Sequence, residues 1–154
     1  MVGPIGAASL LTIRPPLPAH ASDVLLVPVD PDTKQLVTQA RALELQGNLP
    51  AAQRLYEKVT AIAPTYVYGW SNLGNTQTVF GQLPEAENSY NRAIALCDRL
   101  ESESPGAVCN DLYLLYLNRG TLLLNTQRPG PALQDILRSN ALRGRLVVAV
   151  QLVG

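Results

Sequence analysis

From Thr33 onward, apolar residues recur three and four positions apart, which is the period of a helix with one buried face. In "TKQLVTQARALELQG" the stripe is Leu36, Ala40 and Leu43, and Gly47 stops it. Pro50 then opens "PAAQRLYEKVTAIAP", where Ala52, Tyr56, Val59 and Ile62 form a second stripe that Pro64 ends. This predicts two antiparallel helices joined by a tight turn. The chain then repeats itself. "GNLPAAQRLYEKV" and "GQLPEAENSYNRA" begin 34 residues apart, at Gly47 and Gly81. The second copy carries Trp70, Leu73 and Gly74, then Ala86, Tyr90, Ala93 and Leu96; a third carries Gly120, Leu123, Ala132, Ile136 and Leu142.

In every copy the small residue of the first helix precedes that of the second by 12: Ala40 to Ala52, Gly74 to Ala86, Gly120 to Ala132. Two helices approach closely only where a surface lacks bulk, so such pairs mark the crossing point of each hairpin. A lone hairpin cannot hide Trp70 or Tyr90, so neighbouring hairpins must stack.

Trp70, Leu73, Gly74, Ala86, Tyr90 and Ala93 at these spacings resemble the tetratricopeptide repeat family. The first copy keeps Ala40, Gly47, Ala52, Tyr56 and Pro64, with Leu36 where the family prefers Trp. The third keeps Gly120 and Ala132, with Gln127 where a Gly usually ends the first helix. The resemblance implies an all-α fold, a right-handed α-solenoid of about three antiparallel helix hairpins. The repeats are set at 33–66, 67–100 and 113–144, and the resemblance covers about 33–142, which is taken as the domain.

Three segments fall outside that frame. Residues 1–32 hold six of the twelve prolines and no helical period, so they read as an extended or disordered leader. Its Ala19-His20-Ala21 has the form of a cleavage site and points to an organelle such as a plastid. An insert at 101–112, with Pro105-Gly106 among acids and serines, reads as a lengthened second helix followed by a loop. Residues 143–154, "RGRLVVAVQLVG", are apolar on every side; they could fold back as a lid, pair with a second copy or belong to an interrupted array.

Charge and chemistry narrow the function. Twelve basic and twelve acidic residues cancel, which gives nucleic acid no general attraction, and no apolar run approaches the length of a membrane span. Cys97 and Cys109 are expected as reduced thiols; if paired, they would close the insert. The only histidine, His20, lies in the leader, so Ser-His and Cys-His nucleophiles have no base on the repeats. Glu85 and Glu87, like Glu101 and Glu103, are two apart and face different ways on a helix. No enzyme, cofactor or metal is expected.

In a stacked solenoid the first helices line a concave groove. Facing it are Lys34, Val37, Arg41 and Glu44, then Tyr68, Ser71, Asn72, Asn75 and Thr78, then Leu114, Leu117, Asn118, Thr121 and Asn125. An Asn amide donates and accepts, so Asn72, Asn75, Asn118 and Asn125 can satisfy an extended peptide backbone, with Thr121 beside them and Arg41 and Tyr68 as anchors. In the branch of the resembled family that clamps chaperone tails, cations grip a terminal carboxylate. Here Asn72 stands at one clamp place, but Val37, Leu114 and Asn118 hold the others. The expectation is therefore an adaptor for an uncharged or weakly acidic peptide, without membrane or nucleic acid. The alternatives are a structural element that assembles through 143–154 and, third, a helical-repeat RNA binder.

Overall fold

The computed structural model describes the backbone of residues 29–104, 109 and 111–153, with side chains up to residue 145. Among these there are six α-helices and no strand: α1 Pro31–Leu45, α2 Leu49–Ile62, α3 Val67–Val79, α4 Leu83–Glu103, α5 Leu112–Asn125 and α6 Pro129–Val153. They pair as α1/α2, α3/α4 and α5/α6. Each second helix packs on the first helix of the following hairpin, giving a helical solenoid. The leader and its Ala19-His20-Ala21 lie outside the described residues.

Three turns share one geometry. Asn48 N donates to Leu43 O at 2.8 Å, Gln82 N to Gln77 O at 2.9 Å, and Arg128 N to Leu123 O at 2.9 Å. The residue before each donor has positive φ: Gly47 at 77°, Gly81 at 70° and Gln127 at 58°. This is the Schellman closure, which satisfies carbonyls that the helix end leaves open. A Cβ makes left-handed backbone costly, so the third turn is closed against the preference of its own residue. At the other end of α1, Asp30 accepts from Thr33 N at 2.9 Å and from the Thr33 hydroxyl at 2.6 Å, which holds its carboxyl below the usual range.

The core follows the solenoid. Ala40, Ala52, Tyr56 and Leu73 are buried together in the first half, and Val67, Ala86, Tyr90, Ala93, Ile94, Cys97, Leu112, Leu115 and Leu122 in the second. Trp70 packs against both clusters, its Nε1 donating to Pro64 O at 2.8 Å and the Arg92 guanidinium 5.6 Å from its ring centre. The crossing points are tight. A Cβ on Gly74 would stand 2.7 Å from Tyr90 Cε1, and one on Gly120 would lie 3.1 Å from Ile136 and 3.3 Å from the Ala132 carbonyl.

Some expectations need correction. In α1 the buried line is Thr33, Val37 and Ala40, while Leu36 and Leu43 are only half-buried; Val37 thus faces α2 and not the groove. The cause is the crossing at Ala40, which turns the positions three and seven before it toward the partner helix. Ile62 is exposed, and Thr60 takes the buried place under Gly69. Cys97 and Cys109 are not free thiols but a disulfide, with Cα atoms 5.5 Å apart. The chain leaves α4 at Glu103 and returns to α5, which brings Cys109 back over the buried Cys97. Finally, α6 runs unbroken through the residues read above as an apolar tail, to Val153. Leu and Val cost a helix only tenths of a kcal/mol each, so nothing there stops it.

Candidate peptide-binding groove

The groove forms where α3 and α5 lie side by side over the phenol of Tyr90. It is a shallow, open pocket of about 210 Å³ lined by Asn75, Thr78, Tyr90, Asn118, Thr121 and Leu122. At its centre, Asn75 Oδ1 accepts twice, from the Tyr90 hydroxyl at 2.9 Å and from Asn118 Nδ2 at 3.0 Å. Thr78 Oγ1 lies 3.3 Å from the same phenol and also donates to the Gly74 carbonyl at 2.8 Å. The Tyr90 ring is buried, and that burial pushes its phenol above the ordinary value.

This network decides what the groove can offer. Two donors saturate the Asn75 oxygen, so what this pocket-lining residue can still offer is its amide N–H groups as donors. Asn118 spends one N–H on Asn75 and keeps its carbonyl as an acceptor. Thr121 donates to its own helix at Leu117 O, 2.9 Å, and presents its oxygen lone pairs. A donor beside an acceptor is the pattern that a peptide unit complements. Beside them, Leu114 and Leu117 are 39% and 41% exposed, so the same wall of α5 is apolar.

The structure thus brings together three of the residues marked in the sequence: Asn75, Asn118 and Thr121. Asn72 is half-buried and donates to the Tyr68 carbonyl at 2.8 Å, a bond within its own helix. Tyr68 is half-buried with its ring 6.1 Å from that of Tyr66, and Arg41 is exposed on α1. Arg41 lies near enough to Tyr56 for its charge to act on that phenol. Burial, and then the carboxylate of Glu44 at 3.1 Å, hold that phenol well above the ordinary range. Asn125 is exposed toward the end of α5, beyond the pocket. Sequence reading placed Tyr90 in the core only. The signal that could have found it is the 12-residue spacing itself, which sets Glu44 against Tyr56 and Thr78 against Tyr90.

A second polar cluster braces the groove from behind. Arg119 clasps Asp135 with both arms, at 2.7 and 2.8 Å, and its remaining Nη1 donates to Asn91 Oδ1 at 2.7 Å. It thereby ties α4, α5 and α6 together one residue from Asn118. Its guanidinium also lies 5.5 Å from the Tyr116 ring centre. Ser139 Oγ adds a 2.7 Å bond to the Tyr113 carbonyl, which fixes the start of α5 on α6. Among the described residues no helix is long and apolar enough to cross a membrane, and no cluster of His, Cys, Asp or Glu could hold a metal ion.

No family model and no curated protein matches the sequence. Solved structures do match its fold. The N-terminal domain of stress-induced protein-1 (STI-1) from C. elegans is similar at a TM-score of 0.58, with 14% identity, over 74% of this chain and 88% of that one. BtubC (BKLC) from P. vanneervenii is similar at a TM-score of 0.42, with 16% identity, over 82% of this chain and 71% of that one. The first likeness supports a tetratricopeptide-like helical fold.

Proposed function

We propose that this chain is a non-catalytic adaptor that holds an extended, uncharged or weakly acidic peptide across α3 and α5. The observation that carries the reading is the double acceptance by Asn75 Oδ1, which fixes two amides with a donor and an acceptor facing the groove. Preset polar groups of this kind bind without first having to be ordered. The exposed Leu114 and Leu117 take apolar side chains of the peptide, with Tyr68, Asn72 and Arg41 along one flank and Asn125 at the other. The pocket is lined by amides, hydroxyls and one leucine, a set that suits holding a peptide.

The test is a scanning library of uncharged extended peptides on the immobilised full chain, followed by titration of the best binder. Asn118→Ala removes one neutral hydrogen bond and should weaken binding ~3–10-fold. Asn75→Ala should do at least as much, because it also releases Asn118. If both variants bind as the parent does, and the peptide leaves the Asn75 and Asn118 side-chain amide NMR signals unmoved, the reading fails.

A further inference from the structure

Each of the first two hairpins reaches into the next from the outer side of its second helix. In the first hairpin Gln53 Nε2 donates to Gln82 Oε1 at 2.9 Å, in the following turn. In the second, the equivalent residue is Glu87, which pairs with Arg128 at 2.7 Å, and Arg128 occupies the place of Gln82. One turn along, Asn91 accepts from Arg119 of the next hairpin. In the third hairpin these same two positions are Leu133 and Leu137, exposed by 57% and 59%. The surface that is polar on the first two hairpins, where the next one packs, is apolar on α6, where no described residue covers it.

We propose that this face of α6 docks an amphipathic helix of another polypeptide, one whose apolar stripe is flanked by acidic residues, packed on α6 as α5 packs on α4. Leu133, Leu137, Asn140 and Gly144 fall on one line of the helix, at successive steps of four, three and four. Arg143 and Arg145, both exposed, sit either side of Gly144, roughly 100° around the helix in each direction, so cations border the line. The only acid in α6 is Asp135, and it is buried in the grip of Arg119. Every charge that α6 offers outward is therefore positive.

Gly144 adds an independent sign. Gly69, Gly74 and Gly120 each sit where a Cβ would press on a neighbour, whereas nothing described lies within 4 Å of a Cβ at Gly144. An interior glycine weakens a helix, and here no contact among the described residues repays it. A helix arriving from outside would use it, as Val59 uses Gly69.

The charge pattern selects the occupant. A second copy laid α6 against α6 would oppose arginines with no acid to pair them. Head-to-tail stacking would bring the face to α1, where Gln35 and Gln39 stand at the places of Gly69 and Leu73 and are exposed and polar. An acidic helix meets neither obstacle.

Two labelled helical peptides of the same leucine stripe, one flanked by glutamate and the other by lysine, are titrated into the full chain by fluorescence anisotropy. The glutamate peptide should bind saturably and more weakly with added salt, and the lysine peptide at least ~10-fold more weakly. Leu133→Glu with Leu137→Glu, at exposed positions where circular dichroism should be unchanged, should cost ~10-fold or more. Arg143→Glu with Arg145→Glu should reverse the preference between the peptides. Asn75→Ala should leave both titrations unchanged, which separates this face from the groove. Equal affinity for the two peptides, binding of neither, or a parent dimer in sedimentation that the leucine variants dissolve would each overturn the proposal.

Discussion

Replacing Arg119 with methionine removes the charge pair that braces α5 against α6 within the last hairpin, together with the bond to Asn91 of the hairpin before it. The substitution keeps most of the aliphatic stem, so packing changes little, but it leaves the Asp135 carboxylate without its two bonds, at 2.7 and 2.8 Å. That carboxylate is 8% exposed and Arg119 is 21% exposed, so the pair is largely out of water. Breaking a buried pair from one side costs about 3–5 kcal/mol, and the remaining exposure of Arg119 puts the expectation near ~3 kcal/mol. For a folded unit of this size that is a fall in Tm of ~10–15 °C. Thermal and urea unfolding of the parent, Arg119→Met, Asp135→Leu and the double variant form the assay. The double variant strands no charge and should recover to within about 1 kcal/mol of the parent. A single variant within ~0.5 kcal/mol of the parent would mean that the pair behaves as solvent-exposed. A double variant as weak as Arg119→Met would mean that lost packing, not a stranded carboxylate, is the cause.

Other substitutions test separate parts of the account. Gly74→Ala drives a Cβ to 2.7 Å from the buried Tyr90 ring and should cost ~1–3 kcal/mol in chemical unfolding, while Gly144→Ala, in open space, should gain up to ~1 kcal/mol. Gln127→Gly relieves a side chain at φ 58° and should raise stability by about 1 kcal/mol, against a loss for Gly81→Ala. Tyr56 and Tyr90 hold their protons above the unfolded value near 10, so the stability they supply is whole below pH ~10 and drains away as pH rises through their folded values. Phenolate absorbance should accordingly show Tyr56 and Tyr90 among the last of the six tyrosines to ionise. Mass spectrometry after alkylation should find Cys97 and Cys109 unlabelled until reductant is added, and reduction should lower stability by at most ~3 kcal/mol for a loop of 12 residues.

The hairpins were legible because their information is local and repeated. Ala52, Ala86 and Ala132 are fully buried where the 12-residue rule puts them, and all three turn residues fall where the stripes stop. Which flank of a stripe goes deepest is not a local matter. Leu36 is larger and more apolar than Thr33, yet Thr33 is buried, because the crossing at Ala40 fixes the rotation of α1 against α2. The groove was half legible for the same reason. Asn75, Asn118 and Thr121 could be placed on the inner face by counting, but the phenol beneath them arrives from α4 across the hairpin. The bond between Asn75 and Asn118 spans 43 residues. The disulfide was missed because the insert has no period from which to compute the position of Cys109, and average redox expectations filled the gap.

What differs between copies is therefore more informative than what they share. The positions that build a hairpin are nearly fixed: Ala, then an aromatic or Ile, with the turn donor before them. The positions that contact the next hairpin are not. Gln53 meets Gln82, Glu87 meets Arg128, and Leu133 meets no described neighbour. Each partner matches the chemistry of the residue it faces, amide with amide and carboxylate with guanidinium. By the same rule, a leucine pair bordered by arginines specifies an apolar surface edged with acids. The groove shows the complementary case, in which Arg41, Asn75 and Thr121 occupy one repeat position on three first helices. Arg41 carries charge, and the two polar residues nearest the pocket do not. A peptide lying along that line would meet neutral partners over α3 and α5 and a cation over α1, so a single acidic residue at one end of an otherwise uncharged segment should tighten binding in one orientation only.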